Sequence, residues 1–214
     1  QIPDAATAWD KAVASARNVK DFVLVARYLK EQGSNADATM YLKQSVDKQG
    51  SVEDLLDVLN LAGEMNDASL VAQMVDSVMG RTKRFQDLMK IAEVCGKVAE
   101  GKLAEVFNAA AGAAIKLAHF KALVNFVANA KDKTLIGVVA QNARTRLVYV
   151  RDLQNLRNEL MDKGFKDVVS PINQAIVAKT RSRNELMTLF RLFESEGFKQ
   201  DAEAALARMV AVSG

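Results

Sequence analysis

Apolar residues return in this chain every 32 or 33 residues, and they do so in several columns that share one register. Anchored on Leu189, the first column runs back through Leu156, Leu123, Ile91, Val58 and Val25. Eight residues after each anchor comes a second column: Gly33, Asn66, Ala99, Lys131, Gly164 and Gly197. Four of these six are Gly or Asn, which take up left-handed backbone at little cost. Five residues on stand Ala38, Val71, Ala104, Ile136, Val169 and Ala202. Three further on stand Tyr41, Met74, Phe107, Val139, Ile172 and Ala205. A repeat of this length marks a supersecondary unit that cannot bury its apolar face alone and stacks on its neighbours to do so.

Within each period the apolar spacing is helical on both sides of the turn position. In the last copy Leu186, Leu189, Phe190 and Phe193 precede Gly197, and Ala202, Ala205, Leu206 and Met209 follow it. Recurrence at i, i+3, i+4 and i+7 marks one buried helix face, and Gly suits the left-handed residue that ends a helix. Each period is therefore a pair of helices. The pattern predicts helices near 4–16, 19–32, 35–48, 52–65, 68–80, 85–99, 101–115, 118–130, 133–147, 150–163, 167–180, 183–196 and 199–212. No strand is predicted, because apolar and polar residues never alternate cleanly. Ser51 with Asp54 resembles a capping box, and Asp67 and Asp132 stand where second helices begin. In the third copy the run Phe107–Ala114, FNAAAGAA, presents mostly small side chains, which favours close helix approach or a change of curvature. Ser170-Pro171 predicts a helix starting at Pro171 with Ser170 as its cap, after a displaced turn at 166–169.

The expected architecture is all-α: six two-helix repeats near 17–50, 51–83, 84–116, 117–149, 150–182 and 183–214, in a single domain, 1–214. Residues 4–16, with Ala5, Ala8, Trp9, Ala12 and Val13, read as a leading half-repeat, so the chain is expected to be an excerpt of a longer array. A hydrophobic fraction of 50% with no low-complexity run argues against disorder. No apolar run reaches the roughly 18 residues of a membrane span. The single cysteine, Cys95, forms no internal disulfide, which fits an intracellular setting, the cytoplasm or an organelle such as the mitochondrion.

Little in the sequence performs chemistry. One cysteine and one histidine, His119, exclude a His/Cys-rich metal site and leave little for a nucleophile with its base. Cys95 reads as a buried small hydrophobe and His119 as a surface or partly packed residue at a helix start. Gly80-Arg81-Thr82-Lys83 lacks the spacing of a phosphate-binding loop. Glu194 and Glu196 are two apart on a helix and face different sides, so they form no catalytic pair. Neither catalysis nor a cofactor is expected.

The spacing of anchor, Gly eight later, Ala five after that and then an apolar residue resembles the pentatricopeptide and tetratricopeptide repeat families. Leu189, Gly197, Ala202, Leu206 and Met209 carry the likeness in the last copy, and Val25, Gly33, Ala38, Leu42 and Gly50 in the first. The resemblance implies a right-handed α-solenoid with first helices lining a concave face. In pentatricopeptide proteins a polar residue two before the anchor helps to read an RNA base. The matching positions here are Val23, Leu56, Met89, Lys121, Gln154 and Met187. Four of the six are apolar, which points to protein contact rather than base readout.

A second candidate surface is basic. Residues 1–107 carry 13 basic and 16 acidic side chains, and residues 108–214 carry 16 and 10. Lys48, Arg81, Arg146 and Lys179 stand fifteen past their turns, and Lys83 and Arg181 two further on. Arg84, Arg144, Arg151 and Arg183 lie close by in sequence. Equal register means equal location in a stack, so these ten residues are expected along one edge, suited to phosphates. Helix C-termini also favour cations, by about 0.3–1 kcal/mol each. The expected function is a non-catalytic scaffold for protein partners in a multi-subunit assembly, one that processes RNA being the setting considered. The alternative is direct, weakly sequence-selective RNA binding through the basic edge. Neither a membrane nor a small-molecule substrate is an expected partner.

Overall fold

The computed structural model describes residues 11, 13–48 and 50–212. Every regular element among them is helical. Twelve α-helices and one 3-10 turn lie wholly within the described residues. They are α1 (Val19–Glu31), α2 (Asn35–Val46), α3 (Val52–Glu64), α4 (Ala68–Met79), α5 (Phe85–Val98), α6 (Glu100–Ala113), α7 (Leu117–Asn129), α8 (Ile136–Arg146), α9 (Val150–Asp162), α10 (Ser170–Lys179), α11 (Arg183–Glu196) and α12 (Lys199–Ala211); the 3-10 turn is Lys166–Val168. The predicted leading helix at 4–16, with Trp9, lies mostly outside the described residues.

The turn column explains why the helices pair. Gly33, Asn66, Gly164 and Gly197 all have positive φ, between 57° and 86°. At each of these turns the next residue donates its amide back across the helix end. Ser34 bonds to the Leu29 carbonyl at 2.8 Å, Asp67 to Ala62 at 3.1 Å, Phe165 to Leu160 at 2.8 Å and Phe198 to Phe193 at 2.8 Å. This bond satisfies carbonyls that a helix end leaves open and reverses the chain, so the following helix comes back along the first.

Where the column holds other residues the turn changes. Ala99 alone separates α5 from α6, with φ −134° and ψ 60°. That junction is shorter than the turns with left-handed residues, which accounts for the 32-residue step. It also changes the first turn of the next helix: Leu103 is buried and Ala104, expected on the buried face, is exposed, while Phe107 is buried as expected. After α7 the chain needs residues 130–135 before α8 begins at Ile136. Asp132 accepts bonds from the Thr134 amide and hydroxyl at 2.8 and 2.7 Å, so it caps this turn rather than the helix.

The chain divides into two compact units, Gln1–Ala110 and Ala111–Gly214. In the first unit α1 packs on α2 and α3, α2 on α3 and α4, α3 on α4 and α5, and α4 on α5. In the second unit α7 packs on α8 and α9, α10 joins α8, α9 and α12, and α11 pairs with α12. All six anchors, Val25 to Leu189, are buried. Leu206, expected on the buried face of α12, is exposed together with Val210. A Cβ on Gly63 would meet Val94 Cγ1 at 2.8 Å, so α3 and α5 approach closely there. A Cβ on Gly112 would meet nothing within 4 Å, so the small-residue run does not owe its glycine to a close approach.

Two of the expected start signals are present. Ser51 and Asp54 exchange bonds at 3.1 and 3.0 Å, and the Asp67 carboxylate accepts from the Leu70 amide at 3.0 Å. Ser170 does not cap its helix as expected. Val169 stands at the N-cap, and the Ser170 hydroxyl donates instead to Asp201 Oδ1 at 2.8 Å. That bond belongs to a buried polar network. Asn173 donates to the other Asp201 oxygen at 2.8 Å and accepts from Arg157 Nε at 2.7 Å. Arg157 also pairs with Glu196 and lies over the Phe193 ring, 5.3 Å from its centre. Arg157, Asn173 and Asp201 are all buried, so α9, α10, α11 and α12 are held by charged groups as well as by apolar contact.

Two measurements check this account of the core. Leu156→Ala should lower stability by about 2–5 kcal/mol in urea denaturation, whereas Lys163→Ala, on the exposed end of the same hairpin, should cost under about 0.5 kcal/mol. Equal shifts would show that the register is misplaced. Arg157→Ala, which strands Glu196 and Asn173, should cost about 3–5 kcal/mol; a loss no greater than that of exposed Arg191→Ala would show that the network is incidental.

Candidate nucleic-acid interface

The two candidate surfaces fare differently. Val23 and Leu56 are buried, and Met89 and Met187 are half-buried. Lys121 is half-buried and pairs with Glu159 at 3.4 Å. Of the six, only Gln154 is exposed. Most of these positions are therefore engaged in packing within their own unit. Beside Leu56 runs a groove of about 330 Å³ between α3 and α5, lined by Glu53, Asp57, Asn60, Lys90, Glu93 and Lys97 over Leu56 and Val94. Its walls are charged with both signs, so unit 1 shows no apolar strip on its first helices there.

The ten basic candidates are all exposed: Lys48, Arg81, Lys83, Arg84, Arg144, Arg146, Arg151, Lys179, Arg181 and Arg183. In unit 1 several have partners. Arg81 donates to the Gly50 carbonyl at 3.3 Å, Lys48 lies 5.6 Å over the Phe22 ring, and Arg84 is 3.9 Å from Asp87. The Arg81–Gly50 bond joins the same edge in successive hairpins. In unit 2 none of Arg144, Arg146, Arg151, Lys179, Arg181 and Arg183 has an ion-pair or side-chain hydrogen-bond partner among the described residues. The unit division coincides with the charge asymmetry. Residues 108–110 carry no charge, so unit 2 holds 16 basic and 10 acidic side chains.

The geometry of unit 2 places these six residues at one end. Helices α8 and α10 pack side by side, and Arg144, Arg146 and Lys179 lie in their last turns. The chain then turns directly into α9 and α11, whose first turns carry Arg151 and Arg183. The helix dipole favours the first group of cations, since a helix C-terminus is negative. It opposes Arg151 and Arg183, which sit at positive N-termini. Helix chemistry alone therefore accounts for half of the edge.

The residues that open the first helices form a column of their own: Asn18, Ser51, Arg84, Lys116, Tyr149 and Ser182. Asn18, Ser51 and Ser182 accept a helix amide on their side chains. Arg84, Lys116 and Tyr149 make no such bond. A missing cap costs about 0.5–2 kcal/mol. In unit 1 the Thr82 hydroxyl partly replaces it, accepting from the Arg84 amide at 3.1 Å while donating to Asp87 at 2.8 Å. At the start of α7 the His119 ring accepts the Ile115 amide at 3.4 Å, and at the adjacent start of α9 the Tyr149 side chain makes no cap bond. What this column does depends on which side chains reach the helix end.

Cys95 and His119 do not form a chemical site. Cys95 is buried, and burial pushes its thiol up to about 11. His119, expected at the surface or partly packed, is buried; its Nδ1 accepts from the Ile115 amide at 3.4 Å, and burial with nearby Lys116 holds its pKa below the usual value. No group of three or more His, Cys, Asp and Glu suited to a metal ion occurs among the described residues. No helix of the described residues is long and apolar enough to cross a membrane. No protein-family model matches the chain, and no curated sequence matches it.

Cys95 offers a pH test. Between the unfolded thiol value near 8.5 and about 11, the unfolded chain releases a proton that the folded chain keeps. Stability should therefore fall as pH rises through that window, and Cys95→Ala should flatten the slope. Iodoacetamide at pH 8 should label Cys95 only as urea unfolds the chain; rapid labelling of the folded protein would place the thiol at the surface.

Proposed function

We propose that the protein is a non-catalytic helical-hairpin scaffold whose working surface in unit 2 is the basic edge, binding RNA through its phosphates with little sequence selectivity. The observation that carries this reading is the set of six unpartnered cations at one end of unit 2, two of them placed against the helix dipole. Such a surface attracts a polyanion without reading bases, because phosphate contacts position a ligand and carry no sequence information. The six-repeat, right-handed solenoid reading belongs to the same proposal. It is supported by the recurrence of left-handed turns at Gly33, Asn66, Gly164 and Gly197. An intracellular compartment fits a chain with one buried thiol.

A second reading, protein partners held in a larger assembly, draws on other features. Leu24 and Tyr28 on α1 and Leu192 on α11 are exposed apolar side chains of first helices. The buried or half-buried state of Val23, Leu56, Met89 and Met187 makes this reading the weaker one.

Filter binding of a single-stranded RNA at several salt concentrations separates the two. Log affinity should fall with log salt by about 0.7 per contacted phosphate. Arg146→Glu, Lys179→Glu and Arg181→Glu together should abolish binding while shifting stability by under about 0.5 kcal/mol each. Affinity that ignores both salt and the charge reversals would remove the RNA reading. Loss of protein partners through Met89→Asp or Met187→Asp, with nuclease present, would favour the scaffold reading instead.

A further inference from the structure

The turn from α8 to α9 reads Arg144-Thr-Arg146-Leu147-Val148-Tyr149-Val-Arg151. It departs from ordinary turn chemistry in two ways. The N-cap is a tyrosine, and the two residues between the helices that are not buried are both apolar. Val148 is 70% exposed and Tyr149 is 71% exposed. Leu147, in contrast, is 2% exposed and pins the turn to the core. The backbone around them is fixed. The Leu147 amide donates to the Ala143 carbonyl at 2.9 Å, and the Tyr149 carbonyl accepts from Asp152 and Leu153 at 3.1 and 3.2 Å. Tyr149 is thus held outward on an ordered turn, with an extended backbone at φ −88° and ψ 133°.

Exposing an aromatic ring here forgoes both its burial and the cap that Ser or Asn would supply. Single exposed apolar residues are common, but this one has unusual company. Arg144 and Arg146 precede it, Arg151 follows it, and Lys116 opens the adjacent α7 next to Ile115, which is 68% exposed. The nearest acidic group in the turn, Asp152, is half-buried in the first turn of α9, where it offsets the helix dipole. A planar ring among unpaired guanidinium groups is the combination that holds an unpaired base over the ring while cations take its phosphates. A duplex hides its base faces and offers the ring nothing to stack on.

We propose that the α8–α9 turn is a stacking site for single-stranded nucleic acid, with the Tyr149 ring under one base and Arg144, Arg146 and Arg151 on the flanking phosphates. This rests on the reading of the basic edge as a phosphate-binding surface, and it adds single-strand selectivity to it. The site is tolerant of sequence, because every base presents a π-face. Phe fills the role of Tyr, since the hydroxyl takes no part.

The test measures fluorescence anisotropy of the full chain with labelled oligouridine and oligoadenine about 12 nucleotides long, a size within the range of single-strand sites. An RNA duplex of equal length and labelled heparin, a polyanion without bases, run alongside. Tyr149→Ala should weaken both single strands about 5- to 100-fold. Tyr149→Phe should stay within about twofold, and both variants should keep heparin affinity and melting temperature. If Tyr149→Ala binds the single strands like the parent while Arg146→Glu weakens RNA and heparin together, stacking is overturned and the phosphate reading stands. Equal affinity for duplex and single strand also overturns stacking, as does a Tyr149→Ala loss that extends to heparin. Heparin binding with no oligonucleotide bound would assign the patch to an acidic protein surface and overturn the proposal. If neither oligonucleotide nor heparin binds, both readings fall.

Discussion

At four of its turns the structure depends on one residue taking up left-handed backbone. A helix end leaves carbonyls without partners, and in water-poor surroundings each is costly. A residue with positive φ closes the end with a bond from the following amide and sends the chain back antiparallel. Gly33, Asn66, Gly164 and Gly197 do this. With the reversal fixed, the apolar stripes of the two helices face each other without further instruction. In the middle of the chain the column holds Ala99 and Lys131, and the turns there shorten to one residue or lengthen to six. The buried stripe is regained in both cases, by Leu103 and by Ile136, because burying a helix face outweighs the form of the turn that leads to it.

The two units use different means to hold helices together. In unit 1 the first helices meet through apolar side chains, the close approach of Gly63 to Val94, and partly exposed ion pairs such as Lys30–Glu64. In unit 2 a buried chain of polar groups runs from Glu196 through Arg157 and Asn173 to Asp201. Such a network is more directional than an apolar contact. Each group requires a partner at one place, so a sliding of α10 or α12 would strand charges in a low-dielectric interior. That fixes the end of unit 2 opposite the basic edge, since Ser170 and Asp201 lie at the N-terminal ends of their helices and Lys179 at a C-terminal end.

The basic edge is the place where local rules give way. Arg151 and Arg183 oppose a dipole, Lys116 and Tyr149 replace caps, and Val148 and Tyr149 remain exposed. Departures from consistency of this kind concentrate where a surface serves something other than its own stability. Elsewhere in unit 2 the anchors Leu123, Leu156 and Leu189 are buried, and α9 and α11 end at Gly164 and Gly197 in left-handed backbone.

Much of this was legible in the sequence. The period, the two helices per period and nearly all helix bounds follow from the residues, because helix periodicity and left-handed turns are decided within a few positions of the chain. The exposure of the ten basic residues follows as well, since a desolvated cation without a partner is too costly to bury. Arg157 shows the limit of that rule: it is buried because Glu196, 39 positions away, and Asn173 come to meet it. The same holds for Val23 and Leu56, whose apolar character fitted a partner surface and a core equally well until neighbouring helices covered them. The shift from Ala104 to Leu103, the displaced cap at Ser170 and the bare Tyr149 turn likewise depend on where a neighbouring element falls. The sequence by itself determined an all-helical chain of hairpins in one register. Only the tertiary structure decided which residues of that register are covered, because burial is set by contacts between segments far apart in the chain.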